Sequence, residues 1–121
     1  MALNLYWEAR SEGEKGMFAV GWVVLNRIAY AKYPNTVCEV IFQGGTTTPC
    51  EWSWYCDGRS DVPREPKSWA QAQELARQLL QDPPEDPTHG ALWVQHESLK
   101  KPKWLQSRES TAHIGKHIFY K

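Results

Sequence analysis

The run from Met17 to Ile28 constrains this chain more than any other feature. Wound as a helix, Phe18, Ala19, Val20, Trp22, Val23, Val24, Leu25 and Ile28 leave almost no polar face. A helix that is apolar nearly all the way round must be enclosed by other elements, so a central, buried helix is expected. Ser11 followed by Glu14 has the spacing of a capping box, which predicts a start between Glu12 and Gly16. Tyr33-Pro34-Asn35 stops the helix near Ala31, because the residue before a proline disfavours helical geometry. Asn26 and Arg27 are the polar exceptions. If buried they need partners, for Arg27 a carboxylate; otherwise both sit at the exposed end of the helix.

The remaining chain supplies elements to pack on it. Ala2 to Arg10 reads as a short helix, with Leu5, Tyr6, Ala9 and Arg10 at helical spacing. Val37 to Phe42 is a short apolar piece, helix or strand. Gln43 to Pro49 is a loop. Glu51 to Tyr55 suits a strand or an aromatic-lined loop. Asp57-Gly58 marks a turn, and Asp61 to Pro66 is irregular. A second helix opens at Lys67 or Ser68, carries Trp69, Ala72, Leu75, Ala76, Leu79 and Leu80 on one stripe, and stops at Pro83-Pro84. Leu92-Trp93-Val94 is a strand candidate, Leu99 to Thr111 is polar and loop-like, and Ile114 to Tyr120 is a closing strand, at a sheet edge. At 121 residues the chain suits one domain, residues 1–121, rather than two.

Lys and Arg total 14 and Asp and Glu total 14, giving a formal net charge of zero. That balance speaks against a nucleic-acid partner, which favours a basic excess; Lys100, Lys101 and Lys103 are a local exception of the kind that is usually just solvated. No stretch approaches the ~20 apolar residues of a membrane span. No basic segment leads an apolar run at the N-terminus, so no Sec-type signal is expected. Such a protein acts where it is made, leaves by another route, or is a domain of something longer. Seven Trp and five Tyr exceed what so small a core takes. Flat apolar sugar faces stack on indole, so a carbohydrate cleft is a natural use for the surplus; a protein interface is the competing use.

Among chemical candidates, Glu8 stands out. It follows Tyr6 and Trp7 and lies close to the apolar run. Apolar surroundings disfavour the charged carboxylate and raise its pKa, as a general acid near neutral pH requires. The competing reading is a solvated helix-face residue beside Arg10 and Glu12. A two-carboxylate glycosidase would draw its second group from Glu12, Glu14, Glu51 or Asp57, and spacing selects none of them. A single-acid mechanism, with a sugar hydroxyl as nucleophile, needs no second. His113 and His117 have a four-residue ligand spacing and would share a face on one strand, with His89 and His96 as further donors. No Glu follows the first of them, and no metal or cofactor is expected. Cys38, Cys50 and Cys56 lack zinc-site spacing. Cys50 and Cys56 can pair across a short loop, or Cys38 with either, leaving one thiol. A Cys50 or Cys56 nucleophile with His117 is a minor alternative, and no Gly-x-Ser-x-Gly elbow supports a serine one.

Several segments together resemble the cell wall hydrolase family of SleB/CwlJ type, which contains spore cortex-lytic enzymes and phage endolysin-like relatives. They are Tyr6-Trp7-Glu8-Ala9-Arg10-Ser11-Glu12-Gly13, Ala19 to Arg27, Tyr33 to Ile41, Trp52-Ser53-Trp54, Cys56-Asp57-Gly58, Thr88-His89-Gly90-Ala91 and Ile114 to Tyr120. They keep the family's order and span nearly the whole chain. Trp52 stands where Phe is common, and the peptidoglycan-binding repeats of some relatives are absent. The resemblance implies an α+β, lysozyme-like domain, mostly helical with a small antiparallel sheet. It implies cleavage of peptidoglycan glycan strands between N-acetylmuramic acid and N-acetylglucosamine, with Glu8 as acid and then base of a lytic transglycosylase. Trp52, Ser53, Trp54, Gly90 and Ala91 would line the groove, with His117 and Tyr120 near it. A monomer acting at the cell wall is expected, in the periplasm, the spore cortex or after release from a phage-infected cell. The same family pattern leaves room for an amidase, or for a glycan-binding module without turnover.

Overall fold

The computed structural model describes residues 1–44 and 50–121; the end of the expected 43–49 loop lies outside them. Four helices, α1 (Ala2–Ala9), α2 (Gly13–Ala29), α3 (Val37–Ile41) and α4 (Pro66–Gln81), precede three strands, β1 (Trp93–His96), β2 (Ser110–Ile114) and β3 (His117–Tyr120). The strands form one antiparallel sheet in the order β1-β3-β2. The expected α+β class, helical with a small antiparallel sheet, therefore holds.

Helix α2 is the hub. Met17, Ala19, Val20, Val23 and Val24 are completely buried, and α1, α3, α4 and the sheet pack around it. Each larger apolar side chain so enclosed contributes about 1.5–3 kcal/mol. At the α2–α4 crossing the Leu79 side chain packs directly on Gly21, where a Cβ would overlap Leu79 Cδ1. On α4, Ala72, Leu75, Ala76 and Leu79 face the core, Trp69 is half-buried, and Pro66 occupies the first turn, where its missing N–H costs nothing. Leu80 leaves the expected stripe and faces solvent. Among the described residues no helix is long and apolar enough to cross a membrane.

Several local expectations need correction. The Ser11/Glu14 capping box does not form. Glu12 occupies the cap position without a side-chain cap, the Glu12 N–H bonds Ala9 O at 2.9 Å, and the chain turns through Gly13 at φ 74°. Helix α2 ends at Ala29, with Tyr30 already extended. Val37–Ile41 is helical because Thr36 caps it, its hydroxyl accepting the Glu39 N–H. The aromatic segment is neither strand nor open loop but a 3-10 turn at Ser53–Cys56. β3 is the central strand, not an edge. Its second partner, β2, runs from Ser110 and Thr111, the end of the stretch expected to be loop, to Ile114, the start of the expected closing strand, and the two pair with Ile114 opposite His117 and His113 opposite Ile118. On the other side β3 meets β1, with His117 opposite His96 and Tyr120 opposite Trp93.

Candidate active site

Glu8 lies in the last turn of α1, and its neighbours are pinned. The Tyr6 hydroxyl accepts the N–H groups of Arg64 and Glu65, both at 3.0 Å. Trp7 Nε1 donates to Asp61 O at 3.0 Å. The two rings meet edge to face at 4.9 Å. The irregular segment before α4 is thereby stapled to α1 beside the carboxyl. Glu8 itself is half-buried. Burial raises its pKa to about 7, with no compensating donor or cation at the carboxyl among the described residues. Near neutral pH a large fraction of this group carries its proton.

Two cavities open on either side of it. One, of about 440 Å³, is walled by Arg27, Glu51, Trp52 and Ser53 on one flank and by β1, Leu99, Trp104, Leu105 and His117 on the other. The second, of about 460 Å³, is walled by Trp7, Arg10, Trp54, Asp57, Arg59, Asp61 and Arg64. Glu8 and Ser53 belong to both linings, so the carboxyl sits at the waist of a two-sided cleft. Each half is of the size that takes a small organic ligand.

Arg27 is buried, in keeping with the first of the two expectations for it. Its Nε donates to Leu92 O at 2.7 Å, its Nη1 lies 3.4 Å from Glu51 Oε2, and its guanidinium covers the rings of Tyr33 and Trp52. Asn26 Nδ2 donates to Asp86 Oδ2 and Ala91 O, both at 3.0 Å. Of the four candidate second carboxylates, Glu51 and Asp57 line the cleft, one in each half. Glu14 faces a different depression with Lys15 and Phe18. Glu12 spans the fold instead. Its Oε2 accepts the Lys116 N–H at 3.0 Å in the β2–β3 turn. A Cβ on Gly115 would overlap that oxygen, and one on Gly16 would overlap Glu12 Cβ, so two glycines leave room for this strap.

The remaining expected residues divide. Trp52, Ser53 and His117 line the first half of the cleft; Ser53 and Trp54 line the second. Trp54 Nε1 is also fixed by Asn4 Oδ1 at 2.8 Å. Gly90 and Ala91 line neither half. They belong to a turn in which His89 and Gly90 take φ of 55° and 86°, and Asp86 collects the N–H groups of Thr88 and Gly90. Tyr120 is buried on the sheet, lines neither half, and has Lys101 Nζ 4.7 Å from its ring centroid. His113 and His117 do not share a face, because the tight turn at Gly115-Lys116 separates them. His113 pairs with Glu97 at 2.8 Å, while His117 is buried with its ring against His96. Burial first, and His96 second, lower the His117 pKa against the opposing pull of Glu12 and Glu97. No group of three or more His, Cys, Asp or Glu among the described residues is arranged to hold a metal. Cys50 and Cys56 form a disulfide with Cα atoms 6.1 Å apart and Cys38 is exposed, so the Cys–His pair does not exist. The expectations overlooked Trp93, Leu99, Trp104 and Leu105 as cleft residues. The available signal was the surplus of tryptophan, with Leu99 and Trp104 stranded in a polar stretch.

The chain matches the Cell Wall Hydrolase family over residues 11–120, a span that begins three residues after Glu8. It is 34% identical over 123 residues to a spore cortex-lytic enzyme of Bacillus cereus, covering 100% of this chain and 42% of that protein. The chain thus spans less than half the length of the curated relatives it matches. It superposes on the catalytic domain of the germination-specific lytic transglycosylase SleB from Bacillus anthracis with a TM-score of 0.77 at 34% identity. That match covers 100% of this chain and 90% of the other. The catalytic domain of the Bacillus cereus SleB protein gives a TM-score of 0.74 at 31% identity, over 100% and 86%.

Proposed function

The chain belongs to the cell wall hydrolase family, and on that premise we propose that it cleaves the bond between N-acetylmuramic acid and N-acetylglucosamine in peptidoglycan, as a lytic transglycosylase. The observation that carries this reading is the position of Glu8: a carboxyl raised to about 7 by burial, at the waist of a cleft open on both sides. A glycan strand lying through both halves would present one glycosidic oxygen to it.

In the proposed reaction protonated Glu8 donates its proton to the glycosidic oxygen as the bond to C1 of the muramic residue breaks. The departing N-acetylglucosamine leaves with that proton as its new hydroxyl. The carboxylate left behind is partly dry and therefore a stronger base than an exposed one. It takes the proton of the muramic C6 hydroxyl as that oxygen attacks C1. A 1,6-anhydro ring closes, Glu8 is protonated again, and no water is consumed. One group serves both steps. Glu51 supports this economy, since Arg27 engages the carboxylate that would otherwise be the base for a water in the first half of the cleft. Trp52, Ser53, Trp54 and His117 would contact the sugars; Gly90, Ala91 and Tyr120 would act from behind the walls. Residues 1–121 would work as one catalytic unit, as a monomer, at the cell wall, reached by release from a phage-infected cell or by another route.

Mass spectrometry of the soluble products from purified sacculi tests the reading. Fragments ending in 1,6-anhydro-N-acetylmuramic acid are the expected result. Reducing muramic ends would mean that water, not the C6 hydroxyl, is the nucleophile. Intact glycan with freed stem peptides would make the protein an amidase and remove Glu8 from its role.

A further inference from the structure

Beside the cleft lies a separate hollow of about 290 Å³, lined by Tyr30, Lys32, Tyr33, Trp93 and Arg108. Trp93 also lines the first half of the cleft, so the two spaces share a wall. Proton transfer at Glu8 gives this hollow no task. Its residues come from two places. Tyr30, Lys32 and Tyr33 follow the end of α2, and Arg108 belongs to the connection between β1 and β2.

The aromatic floor is fixed. The Tyr33 N–H bonds Tyr30 O at 3.0 Å, and the two rings stand 6.2 Å apart. The Arg27 guanidinium holds the Tyr33 ring at 4.9 Å. Trp93 meets Trp104 edge to face at 5.9 Å, and Arg108 lies 4.6 Å over the Trp93 ring. The Arg108 N–H bonds Leu105 O at 3.0 Å, which ties it to the 3-10 turn Lys103–Leu105. Burial raises the Tyr33 pKa, so its hydroxyl stays neutral and able to donate.

The charge of the hollow is one-sided. Two cations and no carboxylate line it, in a chain whose formal charges cancel. Among the described residues neither Lys32 nor Arg108 joins an ion pair, and both are exposed, so a ligand can reach them. Open cations around fixed rings suit an anion, with charge-assisted hydrogen bonds as the main attraction.

We propose that this hollow takes a free carboxylate of the stem peptide borne by the muramic residue in the cleft, with Lys32 and Arg108 as its cationic partners, so that the protein selects peptide-substituted strands over bare ones. The inference rests on the glycan reading of Glu8 and adds what the glycan must carry. The substrate itself supplies the anion, and extended peptide at ~3.3 Å per residue passes readily between two spaces that share a wall. A neutral sugar would leave both cations unused.

The test compares kcat/KM of the full chain on three soluble substrates: glycan strands with their stem peptides, the same strands with the peptide carboxylates converted to amides, and strands stripped of peptide. The stem-bearing strand should be favoured about three- to tenfold, through KM, and the amidated and stripped strands should be alike. Lys32→Glu and Arg108→Gln should each reduce that preference, whereas Lys32→Arg and Arg108→Lys should keep it. Equal handling of the three strands, or a preference that survives both Lys32→Glu and Arg108→Gln, overturns the peptide site. Sugar fragments released from every strand would then leave the glycan reading intact. Equal handling combined with inhibition by inorganic phosphate would assign the hollow to a phosphorylated polymer and overturn the peptide assignment. If no strand yields sugar fragments, the glycan reading falls and this inference with it.

Discussion

The two sides of the cleft are built in opposite ways. The helical side, α1, α2 and α4, is dry: its packing places Tyr6, Leu5, Met17 and Val20 at essentially no exposure. The sheet side, residues 93–120, is wet. β1 is half-buried along its length, β2 is open at Ser110 and His113, and the connection between them exposes Leu99 and Trp104. The difference separates two requirements of the proposed chemistry. Dryness on one side gives Glu8 its raised pKa; openness on the other leaves surface for a sugar. The sides are tied across the fold by Glu12, four residues beyond Glu8 in sequence and bonded to the turn just before His117.

This contrast can be broken at three points. Glu8→Gln keeps the shape and removes the proton, so sugar release from sacculi should fall by about a thousandfold or more, with an unchanged circular dichroism spectrum. The same variant should respond differently to pH. A carboxyl whose folded pKa lies near 7 and whose unfolded value is near 4.5 binds its proton more tightly when folded. The native protein therefore loses stability as pH rises between those values. Thermal melts of Glu8→Gln should lack that part of the slope.

Next in size is the helical side itself. Gly21→Leu would drive a side chain into Leu79 at the α2–α4 crossing, and overpacking of this kind costs about 2–3 kcal/mol. Urea denaturation should show the loss. A neutral result would mean that the crossing yields to the extra side chain without losing its packing.

The smallest effect should be at the strap. Glu12→Ala removes the acceptor for the Lys116 N–H and should free that amide to exchange with solvent. It should raise KM for glycan a few-fold, consistent with a solvent-exposed hydrogen bond worth about 1 kcal/mol, and leave kcat nearly unchanged. Glu12→Gln retains an acceptor and should restore both. A drop in kcat with normal Lys116 protection would point to a direct chemical role for Glu12 in place of a positioning one.

The same two sides differ in how far the sequence foretold them. The hub helix was legible because an all-round apolar run has one physical outcome, enclosure. Glu8 was legible because two aromatic neighbours and an adjacent buried helix already imply desolvation. Arg27 was half legible: its need for a carboxylate followed from its setting, but the choice of Glu51 did not. Leu80 misled because a helical stripe can outrun the core it faces. The capping box misled because Gly13, free to take positive φ, offered another way into α2. β2 was hidden by its own exposure, since Ser110, Thr111 and His113 are what an open edge strand carries and also what a loop carries. Trp93 and Trp104 stand eleven residues apart in a polar stretch, and only the return of the chain through the 3-10 turn brings them together. Tertiary convergence of this kind leaves no periodic trace.

The central claim is that burial keeps a proton on Glu8 where an ordinary glutamate has lost it. Carbon-13 NMR of the side-chain carboxyl, followed from pH 4 to pH 9 beside the rate of sugar release, tests this most directly. The account predicts a Glu8 midpoint near 7, with the rate falling as pH rises through the same midpoint because the acid form is lost. A midpoint near 4.5 with activity persisting above pH 8 would contradict it.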